Sequence, residues 1–159
     1  MSSVSSAETR NGMVRANLPL AVFVSDLNGF KQVNDRFGHF QGNKLLQAFA
    51  EALKEACREY DYAARMGGDE FVVVAAGLDE KSAAEISRRV ETIITEVGKS
   101  VCGEDIVSAS IGQAFYPADG NNAEHLLAEA DRRMYADKQQ RQNINRWVAA
   151  DPAGNEPAG

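Results

Sequence analysis

A Gly-Gly-Asp-Glu tetrapeptide, Gly67 to Glu70, stands between two apolar runs at residues 60–66 and 71–75, and nothing else constrains the chain so tightly. Two strand-like runs around a glycine-led connection predict a β-hairpin. A third run, Leu20-Ala-Val-Phe-Val-Ser-Asp26, is short, apolar and β-branched, as a buried strand requires. A polar segment with Gly29, Asn34 and Gly38 follows it. From Asn43 the spacing turns helical, with Leu45, Leu46, Phe49, Leu53 and Cys57 on one face. Asp79 is placed to cap the next helix, where Ile86, Val90, Ile93 and Val97 keep the same period. Residues 106–116 alternate like a strand, 117–122 turn, and 123–143 form a last helix with Leu127, Ala130 and Met134 inward. The order β, α, β, β, α, β, α predicts an α+β fold, a ferredoxin-like, palm-type sandwich. Its sheet is expected to be antiparallel-rich, with helices on one face.

The chain has 159 residues, 44% hydrophobic and 25% charged, which supplies one core of ordinary size and excludes a disordered chain. The expected organisation is a flexible segment over 1–17, at a truncated domain start, a domain over 18–147 and a disordered tail over 148–159. Lys and Arg number 17 against 23 for Asp and Glu, a formal charge of −6. Such a surface argues against DNA or RNA as partners, which need a basic face. If the domain handles phosphates, metal ions must share in neutralising them. Cys57 and Cys102 are too few for a disulfide framework, and Cys57 reads as a small buried hydrophobe. No run approaches a membrane span, and residues 1–15 contain no signal-peptide core, so a cytoplasmic, soluble domain is expected.

Asp26 ends an apolar strand, and Asp69 and Glu70 sit at a hairpin apex. If those strands are neighbours, the carboxylates converge at one edge of the sheet. Oxygen ligands without a supporting His or Cys suit Mg²⁺ or Mn²⁺ rather than zinc. From spacing alone, a strand end and a turn explain the same residues as well as a metal site does. Gly67 and Gly68 allow a ligand close approach to the backbone. Gly29-Phe30-Lys31 offers backbone N–H groups and an ammonium to a polyphosphate. His39 and His125 lack a supporting ligand cluster, and Trp147 is assigned nothing.

Together these segments resemble the GGDEF family of diguanylate cyclases, relatives of polymerase palm domains and nucleotidyl cyclases. Gly67-Gly68-Asp69-Glu70-Phe71, preceded by Arg65, is the name-giving signature. Asp26-Leu-Asn-Gly-Phe-Lys-Gln-Val-Asn-Asp35 matches the family's first metal and substrate segment. Gly38-His-Phe-Gln-Gly42, Ser110-Ile-Gly112 and Ala130-Asp-Arg-Arg-Met-Tyr-Ala-Asp-Lys138 follow in register. The resemblance covers residues 20–142. It implies that each domain binds one GTP and that a homodimer joins two of them into cyclic di-GMP, releasing two pyrophosphates. By position, Asp26, the Leu27 carbonyl and Asp69 would hold metal. Asp69, with Glu70 beside it, would draw off the 3′-hydroxyl proton. Lys31 and Lys138 would meet phosphates and Asn34 the guanine. Arg58-Glu-Tyr-Asp61, five residues before the Gly-Gly turn, matches the family's site for cyclic di-GMP as feedback inhibitor. There Arg58 and Asp61 would grip the guanine edge or a phosphate.

Three departures from the family's pattern bear on activity. Asn43 stands where the family reads guanine with Asp. An amide offers one acceptor and turns a donor toward the second guanine N–H, so Asn43 weakens GTP or relaxes base choice toward ATP. The family's phosphate-binding Arg falls at Gln142, and Arg141, three residues after Lys138, is the neighbouring substitute. No Asp-x-Leu-Thr-Gly-Leu segment precedes Leu20. The expectation is a diguanylate cyclase, with a weak or inactive module that binds GTP or cyclic di-GMP for regulation as the alternative.

Overall fold

A computed structural model describes residues 19–57, 61–78 and 80–150, with side chains to residue 144. Its elements are β1 (Leu20–Asn28), α1 (Phe30–Phe37), α2 (His39–Ala56), β2 (Tyr62–Gly67), β3 (Glu70–Ala76), α3 (Glu80–Cys102), β4 (Ser108–Tyr116) and α4 (Ala123–Ala150). Among the described residues the four strands form one sheet in the order β2-β3-β1-β4. Each neighbouring pair is antiparallel. The α+β sandwich expected from the sequence is the fold observed.

The helices do not lie on one face, contrary to the sequence expectation; they cover both. Leu20, Val22 and Val24 of β1, with Val72 and Val74 of β3, pack on Leu126, Ala130 and Met134 of α4. On the opposite face Leu27 and Phe71 meet Leu45, Phe49 and Leu53 of α2 and Val90 and Ile94 of α3. Ala21, Phe23, Val73 and Ala75 continue that face against Ala83. The physical reason is the unbroken apolar run of β1. A strand that buries both faces does not alternate. Phe49 and Phe71 meet edge to face with centroids 4.8 Å apart, a geometry aromatic rings favour.

The polar segment after β1 is helix α1, and α2 begins at His39 rather than Asn43. Only Val33 of α1 is buried, so the short helix leaves almost no periodicity to read. Cys57 is half-buried just past the end of α2, not inside it. Leu126, not Leu127, is the buried leucine of α4. This helix runs on to Ala150, beyond residue 143, because nothing before Pro152 interrupts it. Asp79, residues 1–17 and the tail residues 151–159 lie outside the described residues. Among the described residues no helix is long and apolar enough to cross a membrane.

Candidate functional site

The hairpin places its carboxylates through strand register. Gly67 and Gly68 take positive φ, 143° and 55°, as a tight turn demands, and the Arg65 guanidinium donates from Nε to the Gly68 carbonyl at 2.8 Å. The antiparallel ladder sets Asp26 opposite Glu70, and the Leu27 N–H donates to the Asp69 carbonyl at 3.2 Å. Asp26, Asp69 and Glu70 therefore meet at the end of β1, as the sequence suggested. Just beyond them Gly29 turns the chain into α1 at φ 88°. A Cβ there would lie 2.2 Å from the Ile106 carbonyl oxygen, so no side chain fits.

A cleft of about 620 Å³ opens over this edge, with Gly29, Lys31, Asp69, Lys138 and Arg141 among its lining residues. Lys138 reaches down from α4, and its Nζ donates to Asp26 Oδ2 at 2.6 Å. Asp26 Oδ1 is buried and, among the described residues, has no hydrogen-bond partner. Burial pushes the Asp69 carboxyl up to about 6, and the neighbouring Asp26 carboxyl adds to the rise while Lys138 opposes it. Glu70 is also raised, first by burial and then by the carboxylates of Asp131 and Asp26. Negative charge is thus crowded into a half-buried corner that the Lys138 ammonium faces. An oxygen-only, anionic corner with an unpartnered carboxylate oxygen fits a hard divalent cation. Asp26, Asp69 and the Leu27 carbonyl are the residues that would hold it. Among the described residues no group of three His, Cys, Asp or Glu side chains forms a ready-made ligand set, and the Leu27 carbonyl would be the added oxygen.

Of the other expected residues, Lys31 and Arg141 line the cleft, while Asn34, Asn43 and Asp61 are not among its lining residues. Lys31 lines the cleft on α1 and pairs with Asp35 at 3.0 Å, both well exposed. Asn34 sits on the same helix, its amide lying over Gly42 of α2; a Cβ on Gly42 would come within 1.9 Å of Asn34 Oδ1. Asn43 is exposed on α2. Arg141 bonds Asp137 and Glu91, each at 3.0 Å, while lining the cleft beside Gln142. Asp61 lies away from this cleft, in the wall of a second one of about 370 Å³ with Cys57, Glu85 and Arg89. Arg58 lies outside the described residues.

Two supports escaped the sequence reading. The Asn28 amide donates to Ser108 Oγ at 3.1 Å and Ser110 Oγ at 2.9 Å, tying β1 to β4 at the cleft floor. Asp137 accepts from the Ile111 N–H at 3.0 Å and Arg133 donates to the Gln113 carbonyl at 2.8 Å. Together they lay α4 along β4 and aim Lys138. The helix comes so close that a Cβ on Gly112 would lie 2.0 Å from the Ala130 carbonyl oxygen. Pairings 20 to 82 positions apart leave no local pattern; the helical spacing of Arg133, Asp137 and Lys138 was the one available signal.

Comparison with known proteins extends these observations. Residues 5–144 match the family model described as diguanylate cyclase, GGDEF domain. The chain is 38% identical over 130 residues to the bifunctional diguanylate cyclase/cyclic di-GMP phosphodiesterase MucR of Pseudomonas aeruginosa, covering 82% of this chain but only 19% of that protein. A sensory box/GGDEF family protein from Caulobacter crescentus superposes with a TM-score of 0.72 at 34% identity, covering 84% of this chain and 87% of the other. A microbial GGDEF domain studied for its interaction with cyclic di-GMP superposes with a TM-score of 0.71 at 26% identity, covering 84% and 82%.

Proposed function

We propose, from the premise that this chain belongs to the diguanylate cyclase GGDEF domain family, that it condenses two GTP molecules into cyclic di-GMP and two pyrophosphates. The observation that carries the reading is the convergence of Asp26, Asp69 and Glu70 with Lys138 at the open edge of one cleft. A Mg²⁺ or Mn²⁺ ion held there by Asp26, Asp69 and the Leu27 carbonyl would neutralise phosphate charge and acidify the attacking hydroxyl. Asp69, its carboxyl raised by burial, is suited to accept the 3′-hydroxyl proton, with Glu70 beside it. Lys31, Lys138 and Arg141 surround the space a triphosphate would take, and the N-terminal turn of α1 adds backbone N–H groups. Asn34 and Asn43 read the base. One cleft accommodates one nucleotide, so cyclisation calls for two domains face to face in a homodimer.

Purified protein incubated with Mg²⁺ and GTP, ATP or both, with products identified by mass, tests this reading. Cyclic di-GMP is expected, and a mixed cyclic dinucleotide would trace to Asn43. Asp69→Ala should abolish product, and unchanged turnover would refute the assignment. The second cleft supports a regulatory reading, because Asp61 and Arg89 both line it. Cyclic di-GMP held at Arg58 and Asp61 would restrain the domain, and calorimetry on Arg58→Ala should show that binding lost.

A further inference from the structure

The shortest ion pair at the cleft joins two residues with different tasks. Lys138 Nζ lies 2.6 Å from Asp26 Oδ2, with the side chains 25% and 12% exposed. The other two cations lining the cleft are engaged elsewhere, Lys31 by Asp35 and Arg141 by Asp137 and Glu91. Asp69 and Glu70 stand beside Asp26, so Lys138 is the group that compensates this carboxylate corner. Asp26 meanwhile keeps Oδ1 unpartnered and buried, toward which a cation would be drawn.

We propose that Lys138 is a built-in competitor of the divalent cation for Asp26, and that its displacement couples metal binding to polyphosphate binding. The proposal rests on the reading of Asp26 and Asp69 as metal ligands. A divalent ion drawn to Oδ1 would stand a few ångströms from the ammonium on Oδ2, and the two would repel each other. A metal ion arriving alone therefore displaces Lys138 from Asp26 with no phosphate oxygen to receive it. A metal ion arriving with a polyphosphate releases Lys138 onto phosphate oxygens in the same cleft, and the lost ion pair is replaced. Metal and polyphosphate consequently bind cooperatively, with one side chain carrying the coupling. The arrangement keeps the site weakly loaded by metal alone and strongly loaded by the metal–polyphosphate pair.

Lys138→Met keeps the stem of the side chain and removes the charge, and the two halves of the proposal predict opposite signs for it. Mn²⁺ binding to the whole chain at pH 8 is followed by electron paramagnetic resonance of the free ion, and binding of the preformed Mn²⁺–tripolyphosphate complex by equilibrium dialysis of the phosphate. Lys138→Met is expected to bind Mn²⁺ alone about tenfold more tightly and the Mn²⁺–tripolyphosphate pair about tenfold more weakly, because an ammonium that opposes one aids the other. Lys138→Arg, which preserves charge, is expected to keep the cooperativity and guards against loss of fold as an explanation. Unchanged or weaker Mn²⁺ binding in Lys138→Met, with binding still abolished by Asp69→Asn, would overturn the competition and leave the metal site standing. Mn²⁺ binding indifferent to both Asp26→Asn and Asp69→Asn would overturn the metal reading and the proposal with it.

Discussion

Gly42→Ala separates positioning from stability at this site. A methyl on Gly42 would lie 1.9 Å from Asn34 Oδ1, 3.1 Å from its Cγ and 3.4 Å from Phe30 Cε1. The blocking atom is the end of a flexible side chain, so the Asn34 amide rotates away rather than the helices parting. Alanine inside α2 is favoured over glycine by about 1 kcal/mol. Turning Asn34 off its rotamer costs about 0.5–1.5 kcal/mol. The two nearly cancel, and the melting temperature should move by no more than a few degrees, about 2–4 °C per kcal/mol for a domain of this size. The amide proposed to read the base, however, would have left its place. Losing its hydrogen bonds to guanine costs about 1–3 kcal/mol, roughly a five- to hundredfold loss of GTP affinity. Thermal unfolding, together with titrations of GTP and of inorganic tripolyphosphate, checks both halves. Unaltered GTP affinity, or an equal loss for GTP and tripolyphosphate, would refute the placement of guanine at Asn34.

Gly112→Ala should behave in the opposite way, because its methyl would meet backbone, at 2.0 Å from Ala130 O and 2.2 Å from Met134 N. Moving α4 costs about 1–3 kcal/mol, visible as a clear drop in melting temperature, and draws Lys138 from Asp26. Arg133→Ala removes the paired 2.9 Å bonds to Asp119 and the 2.8 Å bond to the Gln113 carbonyl, and should cost about 1–2 kcal/mol in denaturant unfolding at moderate salt. With chelator present, the raised Asp69 carboxyl binds its proton more tightly folded than unfolded. Measured against Asp69→Asn, which leaves the raised Glu70 and the other titrating carboxyls in place, stability should therefore rise as pH falls from above 6 toward 4, by about 1 kcal/mol once solvent screening is allowed for. Identical profiles for the parent protein and Asp69→Asn would contradict the buried, crowded carboxylate.

The sequence by itself determined the hairpin, the buried strand and the family, because each is written in neighbouring residues. Glycines fix where the turn can form, an unbroken apolar run fixes β1 as interior, and the motifs carry their own spacing. It also brought Asp26 and the turn carboxylates together, given that the two strands are neighbours. Tertiary structure decided what depends on register and on close approach between distant elements. That β1 is covered on both sides follows from which elements pack there, a choice its apolar run permits without naming the partners. Lys138 finds Asp26 112 positions away, and Arg141 finds Glu91 50 positions away, because α4 settles onto β4 at Gly112. A charged side chain takes as partner whichever opposite charge the packed backbone leaves within about 3 Å. That distance is set by the whole fold, which no local pattern encodes.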